Sequence, residues 1–132
     1  MKFDTLKQLK PFLDHILEGT AYLISNSTKI SYREFEKNET FKRSFVRSLE
    51  VIGEATKNIP GEFRKKYPLI PWKDLAGLRD ILIHRYFGIN YRMVWDIVKN
   101  QVPVLEEKIR SILTAMDLDG DPPGTTTRSQ PK

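Results

Sequence analysis

The spacing of apolar residues in the last third of the chain most restricts its fold. Between residues 94 and 116 they recur at steps of three and four, at Val94, Val98, Val102, Leu105, Ile109, Ile112 and Met116. Such steps keep one side of an α-helix apolar, so the pattern predicts a long amphipathic helix. Pro103 should kink or divide it near Gln101 and Val102, because proline lacks a backbone N–H and disfavours helix in the residue before it.

A second long helix is predicted from Phe41 to about Asn58. Its apolar residues follow the same spacing, and Pro60-Gly61 beyond it should prevent the helix from continuing. Gly53 lies inside this helix. Because glycine has no side chain, we expect it to let a neighbouring element approach closely.

Two further segments nearer the N-terminus carry helix signals. Residues 6–23 have apolar residues at helical spacing, and Pro11 either kinks that helix or lies in its first turn. Ser31 and Glu34 have the spacing of a capping box, so a short helix should begin there. Together these segments predict an all-α fold, an antiparallel bundle of four to five helices.

The segment from Trp72 to Phe87 has two local interpretations. Its Ile81-Leu82-Ile83 run could form a strand, because β-branched residues favour extended backbone. Its length, Pro71 before it and Gly88 after it favour a helix instead. We predict the helix.

Residues 79–86 have the form Arg-x-x-x-x-His-x-Tyr and hold groups suited to chemistry on an RNA phosphate. Arg79 is a fixed cation that can stabilise charge on phosphorus oxygens, and His84 can carry a proton near neutral pH. Asp80 can fix the tautomer of His84 and raise its basicity. Three of these residues also have a structural interpretation. Arg79 could be a solvated arginine or form a salt bridge, His84 could be a polar residue at the rim of the core satisfied by Asp80, and Tyr86 could be an interface or core-edge aromatic.

Helix geometry limits how these groups could meet. On an ideal helix, Arg79 and Tyr86 would share one face, and Asp80 and His84 would share another. Arg79 and His84 would then point about 140° apart, too far to act together on one phosphate. Either the helix loosens near residues 83–85, or a second copy of the segment completes the site across a two-fold axis.

The composition argues against several classes of protein. The chain has no cysteine and only two histidines, so disulfides and thiolate metal sites are excluded and a zinc site is not expected. We therefore expect catalysis without a metal or cofactor. No apolar stretch approaches the roughly 18 residues of a membrane span, and the N-terminus lacks the apolar core of a signal peptide. We expect a cytoplasmic protein.

Residues 1–116 are predicted to form one domain, followed by a disordered tail over residues 117–132 that is rich in Pro, Gly and Thr. The whole chain has a net charge of +5, and residues 1–116 carry +6, because the tail holds three Asp against one Arg and one Lys. This charge favours a polyanionic partner such as RNA. Basic residues that could contact RNA phosphates, or form a solvated surface, are Lys42, Arg43, Arg47, Arg64, Lys65, Lys66 and Arg85.

Four blocks of sequence occur in a recognisable order. They are Ile52-Gly-Glu-Ala-Thr-Lys57, the ten residues 70–79, the motif at 79–86 and Val94-Trp-Asp-Ile-Val98. Over roughly residues 4–116 they resemble the HepT-like ribonuclease toxins of the HEPN superfamily. One position departs from that pattern, since Asp80 stands where the family more often has Asn.

The resemblance implies a fold, a function and a partner. It implies a HEPN-like homodimer that joins through a face including residues 72–91, and a metal-independent ribonuclease toxin with Arg79, His84 and Asp80 at its catalytic site. Its partner would be an MntA-type nucleotidyltransferase antitoxin, which transfers AMP onto the motif tyrosine, Tyr86. The alternative is a non-catalytic module that binds a nucleotide or docks the nucleotidyltransferase.

Overall fold

The computed structural model describes residues 3–84 and 88–120, with side chains over 7–82 and 88–116. The elements of these residues, in chain order, are α1 (Phe3–Ser27), α2 (Tyr32–Lys37), α3 (Glu39–Lys57), α4 (Gly61–Arg64), α5 (Trp72–Ala76), α6 (Leu78–Leu82), β1 (Ile83–His84), β2 (Gly88–Ile89), α7 (Tyr91–Asn100) and α8 (Val102–Gly120). The predicted all-α fold is confirmed. The two short strands pair antiparallel, with Ile83 opposite Ile89 and His84 opposite Gly88.

The long helices α1, α3 and α8 form the body of the bundle. α1 packs along both α3 and α8 and buries Leu13, Ile16 and Leu23 between them. Burying a side chain of this size contributes about 1.5–3 kcal/mol. Among the helices that the structure describes, none is both long enough and apolar enough to cross a membrane.

The predicted break in the last long helix is confirmed. α7 ends at Asn100, α8 begins at Val102, and Gln101 lies between them. Pro103 falls in the first turn of α8, where its missing N–H has no helical partner to lose. α8 then continues to Gly120, four residues beyond the boundary predicted between domain and tail. The remaining residues, 121–132, lie outside the described residues.

The predicted N-terminal helix signals have different outcomes. Pro11 lies inside α1, so its placement in the first turn is wrong. The capping box is confirmed, because the Ser31 hydroxyl accepts a hydrogen bond from Glu34 N–H at 3.1 Å and the Glu34 carboxylate accepts one from Ser31 N–H at 2.8 Å. α2 buries Phe35 against Phe45 and Trp95, with ring centroids 5.0 and 5.2 Å apart.

The segment after Pro71 differs from its prediction. In place of one helix there are two short ones, broken at Gly77, and the chain leaves helical geometry after Leu82. Leu78 and Leu82 are buried, while Ile83 and His84 pair with β2. The prediction of a single helix over 72–87 is therefore wrong at Gly77 and at residues 83–84, and the alternative in which the helix loosens near residue 83 is correct. Residues 85–87 lie outside the described residues.

Gly53 provides the close approach that the sequence predicted. A Cβ added there would lie 3.0 Å from the Leu75 carbonyl oxygen and 3.6 Å from Leu78 Cβ. The backbone of the segment that carries Arg79 therefore rests directly on α3. Any larger side chain at position 53 would push this segment away.

Replacing Gly53 by valine tests this contact. We expect Gly53→Val to lower the free energy of unfolding by about 1–3 kcal/mol, the usual effect of overpacking a core. Thermal or urea unfolding followed by circular dichroism measures the change. The matched control is Glu54→Val, the next residue of the same helix, which is exposed. Equal stability of both variants would contradict the close contact.

Candidate active site

Arg79 is an exposed cation on a firmly packed element. It lies on α6 between buried Leu78 and exposed Asp80. Among the described side chains, none forms a hydrogen bond or ion pair with the Arg79 guanidinium or the Asp80 carboxylate. The guanidinium is thus available to an anionic ligand such as a phosphate.

His84 stands on a strand and not on the helix that carries Arg79. Its backbone pairs with Gly88 across the two-residue ladder, while its side chain lies outside the described residues. Because α6 ends at Leu82, a separation of four residues no longer places His84 one helical turn after Asp80. The predicted face shared by Asp80 and His84 is therefore wrong.

The same helix end removes two other inferences from helical spacing. Because α6 ends at Leu82, helical spacing supports neither the predicted face shared by Arg79 and Tyr86 nor the offset of about 140° between Arg79 and His84. A second copy is therefore no longer needed to explain how these two groups could meet. Arg85 and Tyr86 themselves lie outside the described residues.

β2 leads directly into the capped start of α7. The Asn90 side-chain oxygen accepts a hydrogen bond from Met93 N–H at 3.0 Å, which caps that helix. The ammonium of Lys42, on α3, lies 4.5 Å from the centre of the Tyr91 ring. We did not predict either contact. Asn90 before an apolar helical repeat was an available signal for the cap, whereas the pairing of Lys42 with Tyr91 depends on tertiary structure.

An apolar groove of about 570 Å³ lies beside α6. Its walls include Leu49 and Ile52 of α3, Ile81 of α6 and Met93 of α7. Three large apolar side chains that line it are also exposed: Leu69, Ile81 and Val104. Ile81 follows Asp80 directly, so the candidate site borders an exposed apolar surface.

Comparison with known families supports the predicted resemblance. The family described as ribonuclease HepT-like matches residues 5–112 of the chain. This chain belongs to the HepT-like ribonuclease family. The match includes α6, both strands and the whole of the motif.

Several relatives of this HepT-like chain have names that refer to RNases. A protein of Caldanaerobacter subterraneus named as a candidate RNase is 48% identical over 108 residues, which cover 82% of this chain and 96% of that protein. One of Methanocaldococcus jannaschii, also named as a candidate RNase, is 46% identical over 87% of this chain and 93% of its own length. "Probable ribonuclease HepT" of Thermococcus cleftensis is 37% identical over 78% of this chain and 94% of its own. No solved structure matches the chain significantly.

The basic residues predicted to contact RNA differ in their exposure and in their ion pairs within the fold. Lys42 is only 15% exposed and pairs with Glu39 at 3.2 Å, so its charge is used within the fold. Arg47 pairs with Glu50 at 3.8 Å but remains 73% exposed, a weak contact that an anion could replace. Arg43 is exposed. The structural interpretation therefore suits Lys42 best.

Arg64 closes the C-terminal end of α3. Its Nε donates a hydrogen bond to the Ile59 carbonyl and its Nη2 donates one to the Thr56 carbonyl, both at 2.8 Å. These carbonyls lie at and beyond the last turn of the helix, where partners within the helix are lacking. Lys65 and Lys66 beside it are exposed.

Metal-binding groups do not cluster in the described part of this HepT-like chain. No three side chains of His, Cys, Asp or Glu among the described residues lie close enough together to hold a metal ion. The imidazole of His84 lies outside the described residues.

The hydrogen bonds of Arg64 to the end of α3 predict that this side chain contributes to the stability of the fold. Arg64→Ala should lower the free energy of unfolding by about 1–3 kcal/mol, because two backbone carbonyls lose a charged donor. Lys65→Ala, one residue away and exposed, is the matched control and should leave stability nearly unchanged. Chemical denaturation measures both. A destabilisation of Arg64→Ala no greater than that of Lys65→Ala would contradict the capping role.

Proposed function

We propose that this chain is a metal-independent ribonuclease that acts as the toxin of a toxin–antitoxin pair. The observation that carries the proposal is the exposed Arg79, which no described side chain engages, held by buried Leu78 at the start of the family motif. Membership of the HepT-like family and the names of the relatives support RNA as the substrate.

The chemistry needs only the chain's own residues and the RNA. In the proposed step, His84 removes the proton from the 2′-hydroxyl, the 2′-oxygen attacks the adjacent phosphorus, and the bond to the 5′-oxygen breaks. A proton returned from the imidazole neutralises the leaving oxygen. Arg79 stabilises the charge that builds on the phosphorus oxygens. The products are a 2′,3′-cyclic phosphate and a 5′-hydroxyl end.

Asp80 is proposed to support this step through His84. A carboxylate that accepts a hydrogen bond from one ring nitrogen fixes the tautomer and raises the basicity of the other nitrogen. Asp80 is exposed and belongs to the last helical turn before β1. An asparagine, commoner at this position in the family, could fix the tautomer without adding charge.

The first test is RNA cleavage by the purified chain in EDTA. We expect cleavage to persist in the chelator and to fall by about 10²–10⁴-fold in His84→Ala, the usual contribution of a general acid–base. Arg79→Ala should lose about 10²–10³-fold, as when one donor to a developing oxyanion is removed. Rates are measured on a labelled oligoribonucleotide.

Two matched variants control for loss of charge or aromaticity elsewhere. His15→Ala removes the only other histidine, which is exposed on α1, and Arg33→Ala removes an exposed arginine of α2. Both should cleave at nearly the wild-type rate. Activity that is lost in EDTA, or that survives both motif substitutions, contradicts the proposal. An inactive wild type favours the alternative, a non-catalytic module that binds a nucleotide or docks a nucleotidyltransferase.

We also propose that the chain forms a homodimer with the motif near the interface. The exposed apolar groove beside α6 supports this, because burying Leu69, Ile81 and Val104 in a second copy would remove apolar surface from water. A charge placed in that groove should then oppose association.

The dimer proposal predicts a dimeric wild type at micromolar concentration. Val104→Glu should weaken association by at least about tenfold, because burying a charge in an apolar interface is unfavourable. Analytical ultracentrifugation measures this, with Ala21→Glu on the exposed side of α1 as the control. A monomeric wild type contradicts the dimer.

Mixing inactive Arg79→Ala and His84→Ala subunits tests separately whether two chains share one site, since restored activity requires one intact site assembled from two chains.

Control of the toxin is proposed to occur at Tyr86. An MntA-type nucleotidyltransferase would direct the phenol oxygen onto the α-phosphorus of ATP, forming a phosphodiester and releasing pyrophosphate. The added nucleotide would bring a negative phosphate and a bulky nucleoside into the motif, which would exclude RNA by occupation and repulsion. The family motif is the support for Tyr86, because α6 ends at Leu82 and helical spacing no longer relates position 86 to Arg79.

The corresponding prediction is that the nucleotidyltransferase and ATP add mass in steps of one AMP, on Tyr86. Tyr86→Phe keeps the ring but removes the attacking oxygen, so it should gain no mass and should remain toxic when the antitoxin is present. Tyr91→Phe is the matched control, because the Tyr91 ring is covered by Lys42. This variant should still gain AMP on Tyr86. Peptide mass spectrometry that places AMP on another residue contradicts the assignment.

A further inference from the structure

Gly88 adopts a backbone conformation that other residues disfavour. Its φ is +79°, and it is the only glycine with a positive φ in the described part of the chain. A Cβ added to Gly88 would meet nothing within 4 Å. Space therefore does not require a glycine at this position; the left-handed backbone does.

This conformation occurs directly opposite His84. The ladder between β1 and β2 has two pairs, and Gly88 is the cross-strand partner of His84 in one of them. The other pair, Ile83 and Ile89, lies next to it. Because α6 ends at Leu82, the extended backbone of His84 depends on this ladder and not on a helix.

The strand that contains Gly88 is fixed on its other side. Asn90 caps α7 through Met93 N–H, and Tyr91 lies under the Lys42 ammonium. Ile89 is half-buried against the core. Residues 89–91 are therefore held in place by the rest of the fold. The left-handed backbone of Gly88 then determines how β2 is aligned with the strand that carries His84.

We propose that Gly88 is a positioning residue for RNA cleavage, whose left-handed backbone closes the ladder that holds His84 in place. This inference rests on the proposed role of His84 as the proton carrier. Gly88 itself touches no reacting group in this proposal. Its effect passes through the backbone of its partner strand.

Substitutions at Gly88 can separate backbone conformation from bulk. An L-residue with a Cβ populates the left-handed region roughly tenfold less than glycine, and asparagine tolerates it better than alanine. Gly61 is a matched control glycine, because a Cβ there also meets nothing within 4 Å and its φ is not positive. Alanine at position 61 adds the same atom without the backbone penalty.

The experiment measures RNA cleavage by the wild-type chain, Gly88→Ala, Gly88→Asn and Gly61→Ala. We expect kcat to fall about tenfold in Gly88→Ala, less in Gly88→Asn and not at all in Gly61→Ala. KM should change by less than about twofold, because substrate binding through phosphates is retained. A Gly88→Ala kcat equal to wild type, equal losses in the alanine and asparagine variants, or a loss confined to KM would overturn the inference.

A second readout does not depend on activity. In NMR spectra, cross-strand backbone contacts between Ile83 and Ile89 should be present in the wild type and in Gly88→Asn and weakened in Gly88→Ala. Unchanged contacts in Gly88→Ala would overturn the positioning role even if the wild type cleaves RNA. A wild type that cleaves no RNA contradicts the proposed function instead, and the NMR contacts then decide alone whether Gly88 holds the ladder.

Discussion

The close contact between Gly53 and the α5–α6 backbone determines where the candidate site lies. With no side chain at position 53, the Leu75 carbonyl approaches α3 to within 3.0 Å of where a Cβ would stand. This approach lets Leu78 and Leu82 reach the core, where both are buried. Arg79, between them in sequence, is left on the outer side of a segment that cannot easily shift.

The change from helix to strand follows directly after buried Leu82, the last residue of α6. The two residues that follow it pair with β2, so the cation and the histidine of the motif stand on different kinds of backbone. Arg79 has a position fixed by packing, whereas His84 has a position fixed by a short ladder and by the anchored start of α7. Local adjustment of the ladder could therefore change the position of His84 without disturbing the core.

Local sequence patterns predicted the elements that local interactions decide. The end of α3 near Asn58, the division at Gln101 and the capping box at Ser31 each depend on residues within a turn of one another. The hairpin could not be read in this way, because Leu75, Leu78 and Leu82 keep helical spacing up to the point where the helix ends. Its strand depends on pairing with Gly88 and Ile89. The hydrogen bonds from Arg64 to the Thr56 and Ile59 carbonyls likewise depend on a turn that only the folded chain makes.

The proposed role of His84 requires the 2′-hydroxyl of RNA as the attacking group, and this requirement can be measured directly. The substrates are one oligoribonucleotide and a matched oligonucleotide that carries a single 2′-deoxy residue at the main cleavage position. We expect the first to be cut to 2′,3′-cyclic phosphate and 5′-hydroxyl ends, and the second to resist cleavage at the modified position. Equal cleavage of both, or products with 5′-phosphate ends, would contradict a mechanism in which His84 removes the proton of the 2′-hydroxyl.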